Sequence, residues 1–168
     1  SDGLRPTSGK VRETLFNWLQ FEIHNKTILD PFAGTGALGI EAISRGSGKV
    51  CFIEKNFKTY KSLKSNLEIL NPNQYILVNQ DSLNYLKKEA LPSFDLIFLD
   101  PPFNQELIAS TLSLLSKASL IHLKSKIYIE SEYELSLDFL MSNMSHKCKI
   151  DKQKKSGNVY YCLISLEE

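Results

Sequence analysis

Short apolar runs alternate along this chain with longer stretches in which apolar positions recur every three to four residues. The continuous runs predict strands at Thr27–Asp30, Val50–Glu54, Tyr75–Asn79, Phe94–Asp100 and Lys126–Glu130. Helical spacing fills the intervals, at about 11–21, 37–46, 56–70, 81–89 and 105–118. In the last interval Leu107, Ile108, Thr111, Leu112, Leu114 and Leu115 share one face, and Asp81 and Asn104 stand where N-caps are expected. Strands that are apolar on both faces and separated by helices mean a parallel sheet covered on both sides, the doubly wound α/β class. The end of the chain breaks the rhythm. Lys147–Gln153 and Val159–Leu166 flank Lys154–Asn158, whose Ser-Gly-Asn reads as a hairpin turn. The expected fold is a mostly parallel sheet that finishes in an antiparallel hairpin.

Composition narrows the class without changing it. The chain has 168 residues, 42% of them hydrophobic and 23% charged, with a net charge of +1. No repeat or low-complexity linker divides it, so residues 1–168 are expected to form one domain with a core large enough to need no staple. No run of 18 apolar residues exists to span a membrane, and the start shows no charged-then-apolar leader pattern. The first residue is Ser1, so further residues upstream are expected. Cys51, Cys148 and Cys162 form no C-x-x-C pair, and His24, His122 and His146 are scattered. This argues for no metal, and free thiols suit a reducing cytoplasm.

Gly34-Thr-Gly36-Ala-Leu-Gly39 fits G-x-G-x-x-G, directly after a predicted strand and before a predicted helix, the context that gives this short motif meaning. Glycines let a ligand approach the backbone, and a helix start offers N–H donors. Glu54, twenty residues after Gly34, ends the next strand, where a carboxylate can accept from a ribose diol. A dinucleotide would place a pyrophosphate on this loop. Asp30, at the strand end just before Pro31 and Phe32, would repel a pyrophosphate but could face the cationic amino group of a methionine moiety. The segment therefore favours S-adenosylmethionine, with Asp30, Phe32, Gly34, Gly36 and Glu54 as candidate cofactor-binding residues. Tyr60 and Lys64 form a Y-x-x-x-K that mimics a dehydrogenase relay, but with Lys58 and Lys61 they read better as a solvated helix face.

The strand Phe94–Leu99 runs into Asp100-Pro101-Pro102-Phe103. In a doubly wound sheet ligands sit outside the carboxyl ends of the strands at the switch point, so Asp30 and Asp100 should line one crevice. Two prolines stiffen the turn and remove two donors. The Asp100 carboxylate and Pro101 carbonyl then make a rigid acceptor pair for an exocyclic amino group, and Phe103 offers a face for a base. Such nitrogens are poor nucleophiles, so holding them in line with an electrophilic methyl group is the main catalytic need. Asp100, Pro101, Pro102 and Phe103 are the candidate catalytic residues, and either guanine N2 or adenine N6 suits them.

Asp30–Gly39, Glu54 and Asp100–Phe103 resemble the class I S-adenosylmethionine-dependent amino-methyltransferases. The opening Leu4–Trp18, with Leu38–Arg45 and Ile129–Glu132, narrows the resemblance to the bacterial 16S rRNA guanine-N2 methyltransferases acting on guanine 966, the RsmD type, over residues 4–166. That resemblance implies a Rossmann-like class I methyltransferase fold, S-adenosylmethionine as cofactor, and the small ribosomal subunit or its assembly intermediate as partner. It also implies a cytoplasmic monomer. By the same resemblance Asp81 reaches the adenine of the cofactor, although Asp81 could equally be only a helix N-cap. Thr7 is assigned to the cofactor, and Arg5, Lys10 and Arg12 to RNA, on a segment folding over the pocket. The family usually carries an acidic-basic pair where this chain has Gly9-Lys10, and a basic hairpin ahead of this opening that is absent here.

Basic residues gather near Arg5–Arg12 and at Lys147, Lys149, Lys152, Lys154 and Lys155, which face one acid, Asp151, for a net +4 over residues 147–155. Such a rim suits RNA backbone contacts and equally suits a solvated hairpin. Three rivals stay open: an adenine-N6 methyltransferase acting on DNA or RNA, a nicotinamide oxidoreductase that leaves D-P-P-F unexplained, and a silent RNA-binding domain.

Overall fold

The computed structural model describes residues 8–88, 90–102 and 105–168. Seven strands form one sheet, β1 (Ile28–Asp30), β2 (Val50–Ile53), β3 (Tyr75–Val78), β4 (Phe94–Leu99), β5 (Ile121–Ser131), β6 (Lys147–Ser156) and β7 (Val159–Glu167), in the order β3-β2-β1-β4-β5-β7-β6. The first five run parallel, and β7 enters antiparallel between β5 and β6. The doubly wound sheet ending in an antiparallel hairpin is thus borne out. The hairpin turns through Gly157 at φ +59°, a backbone region that suits glycine.

Helices α1 (Gly9–Trp18), α2 (Ala37–Ser44) and α3 (Phe57–Leu67) cover one face of the sheet, and α4 (Ser82–Lys88), α5 (Gln105–Lys117) and α6 (Leu137–Ser142) the other. The strands separate two cores because alternate residues face opposite ways. Leu29, Ile97, Ile127 and Ile129 face the α4–α6 side, while Ile28, Phe52, Phe98 and Tyr128 face the α1–α3 side. Ser8, Asn56 and Ser136 cap α1, α3 and α6 by accepting from Val11, Thr59 and Phe139 N–H groups at 3.2, 2.9 and 3.0 Å.

The switch point lies between β1 and β4, which leave the sheet centre in opposite directions. At the amino end of this pair, Asp95 accepts from Thr27 N–H at 2.8 Å and meets His122 Nε2 at 2.8 Å. Burial works against the Asp95 charge, but these partners hold the carboxyl below its ordinary range. His122 therefore joins a structural clamp on the edge opposite the glycine loop.

The element boundaries shift in instructive places. β5 begins at Ile121, five residues ahead of the expected Lys126, because Phe94 pairs with Ile121 across a register shift. Helix α6 has no counterpart in the sequence pattern: six residues with one buried side chain, Leu140, carry no legible period. Helix α1 starts two residues before the expected window and stops at Trp18, three residues before its end. The expected caps divide. Asp81 accepts from Asn84 N–H at 3.1 Å, whereas Asn104 lies outside the described residues.

Candidate active site at the carboxyl edge of the sheet

The glycine loop connects β1 to α2 with Gly34 at φ +59° and Gly36 at φ +92°, so both glycines are needed for the path of the backbone. A Cβ on Gly36 would also stand 2.5 Å from Leu63 Cδ1. The third glycine works differently. A Cβ on Gly39 would meet Phe52 Cε1 at 2.2 Å, so Gly39 lets α2 press onto β2.

The N–H groups of this loop are largely turned inward. Ala33 N–H reaches Ile53 O at 3.0 Å, Gly36 N–H reaches Ala33 O at 2.9 Å, and Gly34 N–H donates to Glu54 Oε1 at 3.0 Å. Gly39 N–H donates to Asp30. A phosphate cradle needs such donors free and no carboxylate among them. The loop therefore favours a ligand that brings no pyrophosphate, as expected from Asp30.

Glu54 stands half-buried at the end of β2, and its second oxygen accepts from Asn56 N–H at 2.8 Å. Asn56 also caps α3, so one residue starts the helix and orients the carboxylate. Each Glu54 oxygen keeps a second lone pair for a diol. Asn79 ties the end of β3 to this turn, donating to Glu54 O at 2.9 Å and Lys55 O at 3.1 Å. Ser82 donates to Pro31 O, which fastens the start of α4 to the loop after β1.

These ties frame a cavity of about 460 Å³ lined by Phe32, Glu54, Asp81, Ser82, Asp100 and Pro102, among others. The ends of β1, β2, β3 and β4 thus converge on one space, as the switch-point rule requires. Lys55 Nζ approaches Asp81 Oδ1 at 3.9 Å on its rim. Asp30 does not line the cavity. It is 2% exposed, its Oδ2 has no hydrogen-bond partner among the described residues, and burial, then the nearby Glu54 charge, push its carboxyl up to about 8. A cationic group brought near Asp30 would relieve that cost, so the acid fits a cationic ligand and penalises an anionic one.

The other candidates fall as follows. Pro101 is buried and Pro102 exposed at the end of β4, while Phe103 lies outside the described residues. Thr7 and Arg5 also lie outside them. Lys10 is exposed and Arg12 half-buried on α1. On α3, Lys58, Lys61 and Lys64 are all exposed, and Phe57 stacks on Tyr60 at 6.1 Å, which agrees with the solvated-face reading.

Two residues without an assigned role stand beside Asp100. Tyr128 and Glu130 of β5 are 0% and 3% exposed. Burial first, then the charges of Glu130 and Asp100, raises the Tyr128 phenol well above its usual range, so its hydroxyl stays protonated. The Phe98 and Tyr161 rings flank Tyr128 edge-on, each at 6.5 Å. The signal was present in the sequence as an acid directly after the apolar run Ile127–Ile129, but its neighbours come from β4 and β7.

The family model described as conserved hypothetical protein 95 matches residues 1–165. The ribosomal RNA small subunit methyltransferase D of Haemophilus influenzae is 44% identical over 140 residues, covering 82% of this chain and 72% of that protein. The protein of the same name from Escherichia coli strain K12 is 38% identical over 167 residues, covering 99% and 82%. Among solved structures, the yhhF protein of Escherichia coli superimposes with a TM-score of 0.85 at 35% identity, covering 98% of this chain and 89% of that one.

Proposed function

The chain belongs to the conserved hypothetical protein 95 family, the family of the RsmD-type methyltransferases, and from that premise we propose that it methylates 16S rRNA of the small ribosomal subunit. The methyl group comes from S-adenosylmethionine and goes to the exocyclic N2 of a guanine, guanine 966 in the family pattern. The observation that carries this reading is the shared cavity, in which Glu54 and Asp81 stand together with Asp100.

S-adenosylmethionine, when bound, supplies an electrophilic methyl group on a sulfonium. Glu54 accepts from the ribose hydroxyls, and Asp81 accepts from the adenine amino group. Asp30 holds its proton near neutrality in the ligand-free protein and favours the amino-acid end because an approaching cationic amino group stabilises its carboxylate. Phe32 offers an apolar wall of the cavity. On the substrate side Asp100 and the Pro101 carbonyl accept from the two N–H groups of the guanine amino nitrogen, and Phe103 stacks on the base. This fixes the nitrogen in position and draws its lone pair out of conjugation with the ring, an effect of proximity and orientation that can supply roughly 7–11 kcal/mol in favourable cases. No strong base is needed at the start, because the nitrogen becomes acidic only as the new bond forms. By the family resemblance Lys10 and Arg12 on α1, with Arg5, serve RNA, and Thr7 serves the cofactor.

The direct test is transfer of labelled methyl groups to unmethylated small subunits, protein-free 16S rRNA and DNA, followed by nucleoside analysis. N2-methylguanosine from subunits is the expected product. Label in N6-methyladenine would transfer the assignment to an adenine methyltransferase. Absence of label in all three would favour a silent domain.

A further inference from the structure

The five lysines of residues 147–155 form one cluster in the sequence, but the fold spreads them along a whole strand. Lys147 pairs in register with Glu167 at the amino edge of the sheet, and Lys155 pairs with Tyr160 at the carboxyl edge. At a rise of about 3.3 Å per residue the two are roughly 26 Å apart. The middle of β6 is already neutralised, since Asp151 approaches Lys149 Nζ at 4.0 Å and Lys126 Nζ at 3.9 Å.

The far end is different. Leu99 pairs with Ile129, Glu130 with Tyr161, and Tyr161 with Lys154. Asp100, which follows Leu99, therefore sits in the same row across the sheet as Lys154. Three strand spacings separate them, or about 15 Å. Lys152, Lys154 and Lys155 are exposed, and none forms an ion pair among the described residues.

A second cavity, of about 180 Å³, opens at this end between Ser131, Glu134, Gln153, Lys154, Lys155 and Tyr160. Lys155 Nζ lies 5.1 Å from the centre of the Tyr160 ring. Tyr133 stands 62% exposed on the turn after β5, where Ser131 Oγ donates to its carbonyl at 2.5 Å. Unpaired cations beside the half-buried Tyr160 ring, with the exposed Tyr133 ring on the neighbouring turn, make a surface for a single-stranded polynucleotide. Its distance from Asp100 is the span of a few nucleotides.

We propose that the tip of the β6–β7 hairpin, through Lys154 and Lys155 beside Tyr160, holds the phosphate backbone of the RNA that flanks the target nucleotide. This rests on the RNA-methyltransferase reading above. It assigns RNA contact to one end of β6 and denies it to Lys147 and Lys149, which carry the same charge on the same strand. The test compares two variants of equal net charge, K154A/K155A and K147A/K149A, in binding to a protein-free 16S rRNA fragment across a salt series and in methylation of small subunits. K154A/K155A should weaken RNA binding about tenfold and flatten the log–log salt dependence by about 1.4–1.8. K147A/K149A should stay within about twofold of the parent, and both variants should keep the parent's cofactor affinity, which reports folding.

Equal losses from both pairs would overturn the proposal in favour of net charge alone. An unchanged salt slope in K154A/K155A would overturn it by removing the phosphate contact. Loss on subunits with none on protein-free RNA would also overturn it and make a ribosomal protein the occupant. If the parent itself neither binds RNA nor methylates it, the functional reading fails and takes this one with it. A parent active on RNA beside an undiminished K154A/K155A refutes the hairpin alone.

Discussion

At the end of β2, Glu54 is held by the N–H groups of Gly34 and Asn56, and Asn79 binds the same turn from β3. At the end of β4, Asp100 has beside it Tyr128 and Glu130 from β5, with Tyr161 of β7 against Tyr128. The first arrangement is local: each partner lies within 25 positions of Glu54, and the two that hold its carboxylate are backbone N–H groups. The second joins side chains from three strands, the last of them inserted antiparallel. A site preset by its own backbone keeps its shape when a distant side chain changes. A site assembled from buried side chains on separate strands depends on each of them. On the proposed function the cofactor half is the local one and the substrate half the assembled one, and mutations can test that division.

The largest effect belongs to Asp100. D100A should lower methyl transfer about a thousandfold or more, as expected when an orienting acceptor is lost, with cofactor affinity within a few-fold. Isothermal titration beside a labelled-methyl assay separates the two halves. A large affinity loss would move Asp100 into the cofactor half.

E54A should do the converse. Losing charge-assisted hydrogen bonds worth about 1.5–3 kcal/mol predicts roughly 10–100-fold weaker cofactor binding, with transfer at saturating cofactor little changed. Unchanged affinity would refute the ribose role.

Gly39 and Asp30 sharpen the comparison inside the cofactor half. G39A should cost about 1–3 kcal/mol of stability from its clash with Phe52, visible as a lower Tm, because this glycine serves packing. D30N should act in the opposite direction on the ligand-free protein. The Asp30 carboxyl titrates near 3.8 when unfolded and at about 8 when folded, so the folded state holds the extra proton between those values. Stability on this account is fully present below pH 3.8 and is lost as pH rises through about 8. D30N removes that dependence, so its Tm should exceed the parent's increasingly over this window, while its affinity for the cofactor falls. A parallel pair of Tm–pH curves would exclude an ionising Asp30. The smallest effect is expected on α3, where Y60F and K64A should leave transfer within about twofold, since Lys64 faces solvent. A marked loss there would bring the helix into the site.

The cofactor half is legible in the sequence because its chemistry is written in short segments. The Gly34–Gly39 loop, Glu54 and Asp81 each follow a strand whose apolar run is continuous, so strand, turn and helix announce themselves in order. The substrate half is only partly legible. D-P-P-F is a local motif, but nothing near it in the chain points to Tyr128, Glu130 or Tyr161.

What the sequence determined by itself, then, is what short-range physics controls: apolar runs that become buried strands, glycines that permit φ +59° and +92°, and Asp81 as a cap. Tertiary structure alone decided which strand ends meet. The first half of β5 is hidden in the pattern because His122 and Lys124 interrupt it, and the register with Phe94 made it a strand. The charge of β6 looks like one patch in the sequence because distance along the chain ignores direction. An extended strand carries nine residues from one edge of the sheet to the other, so neighbours in the chain end at opposite rims. In the same way the Asp30 carboxyl reads from the sequence as a strand-end acid facing a cationic ligand. Only its burial beneath the glycine loop, next to Glu54, turns it into a group that holds its proton near neutrality, because desolvation is a property of the surroundings and not of the residue.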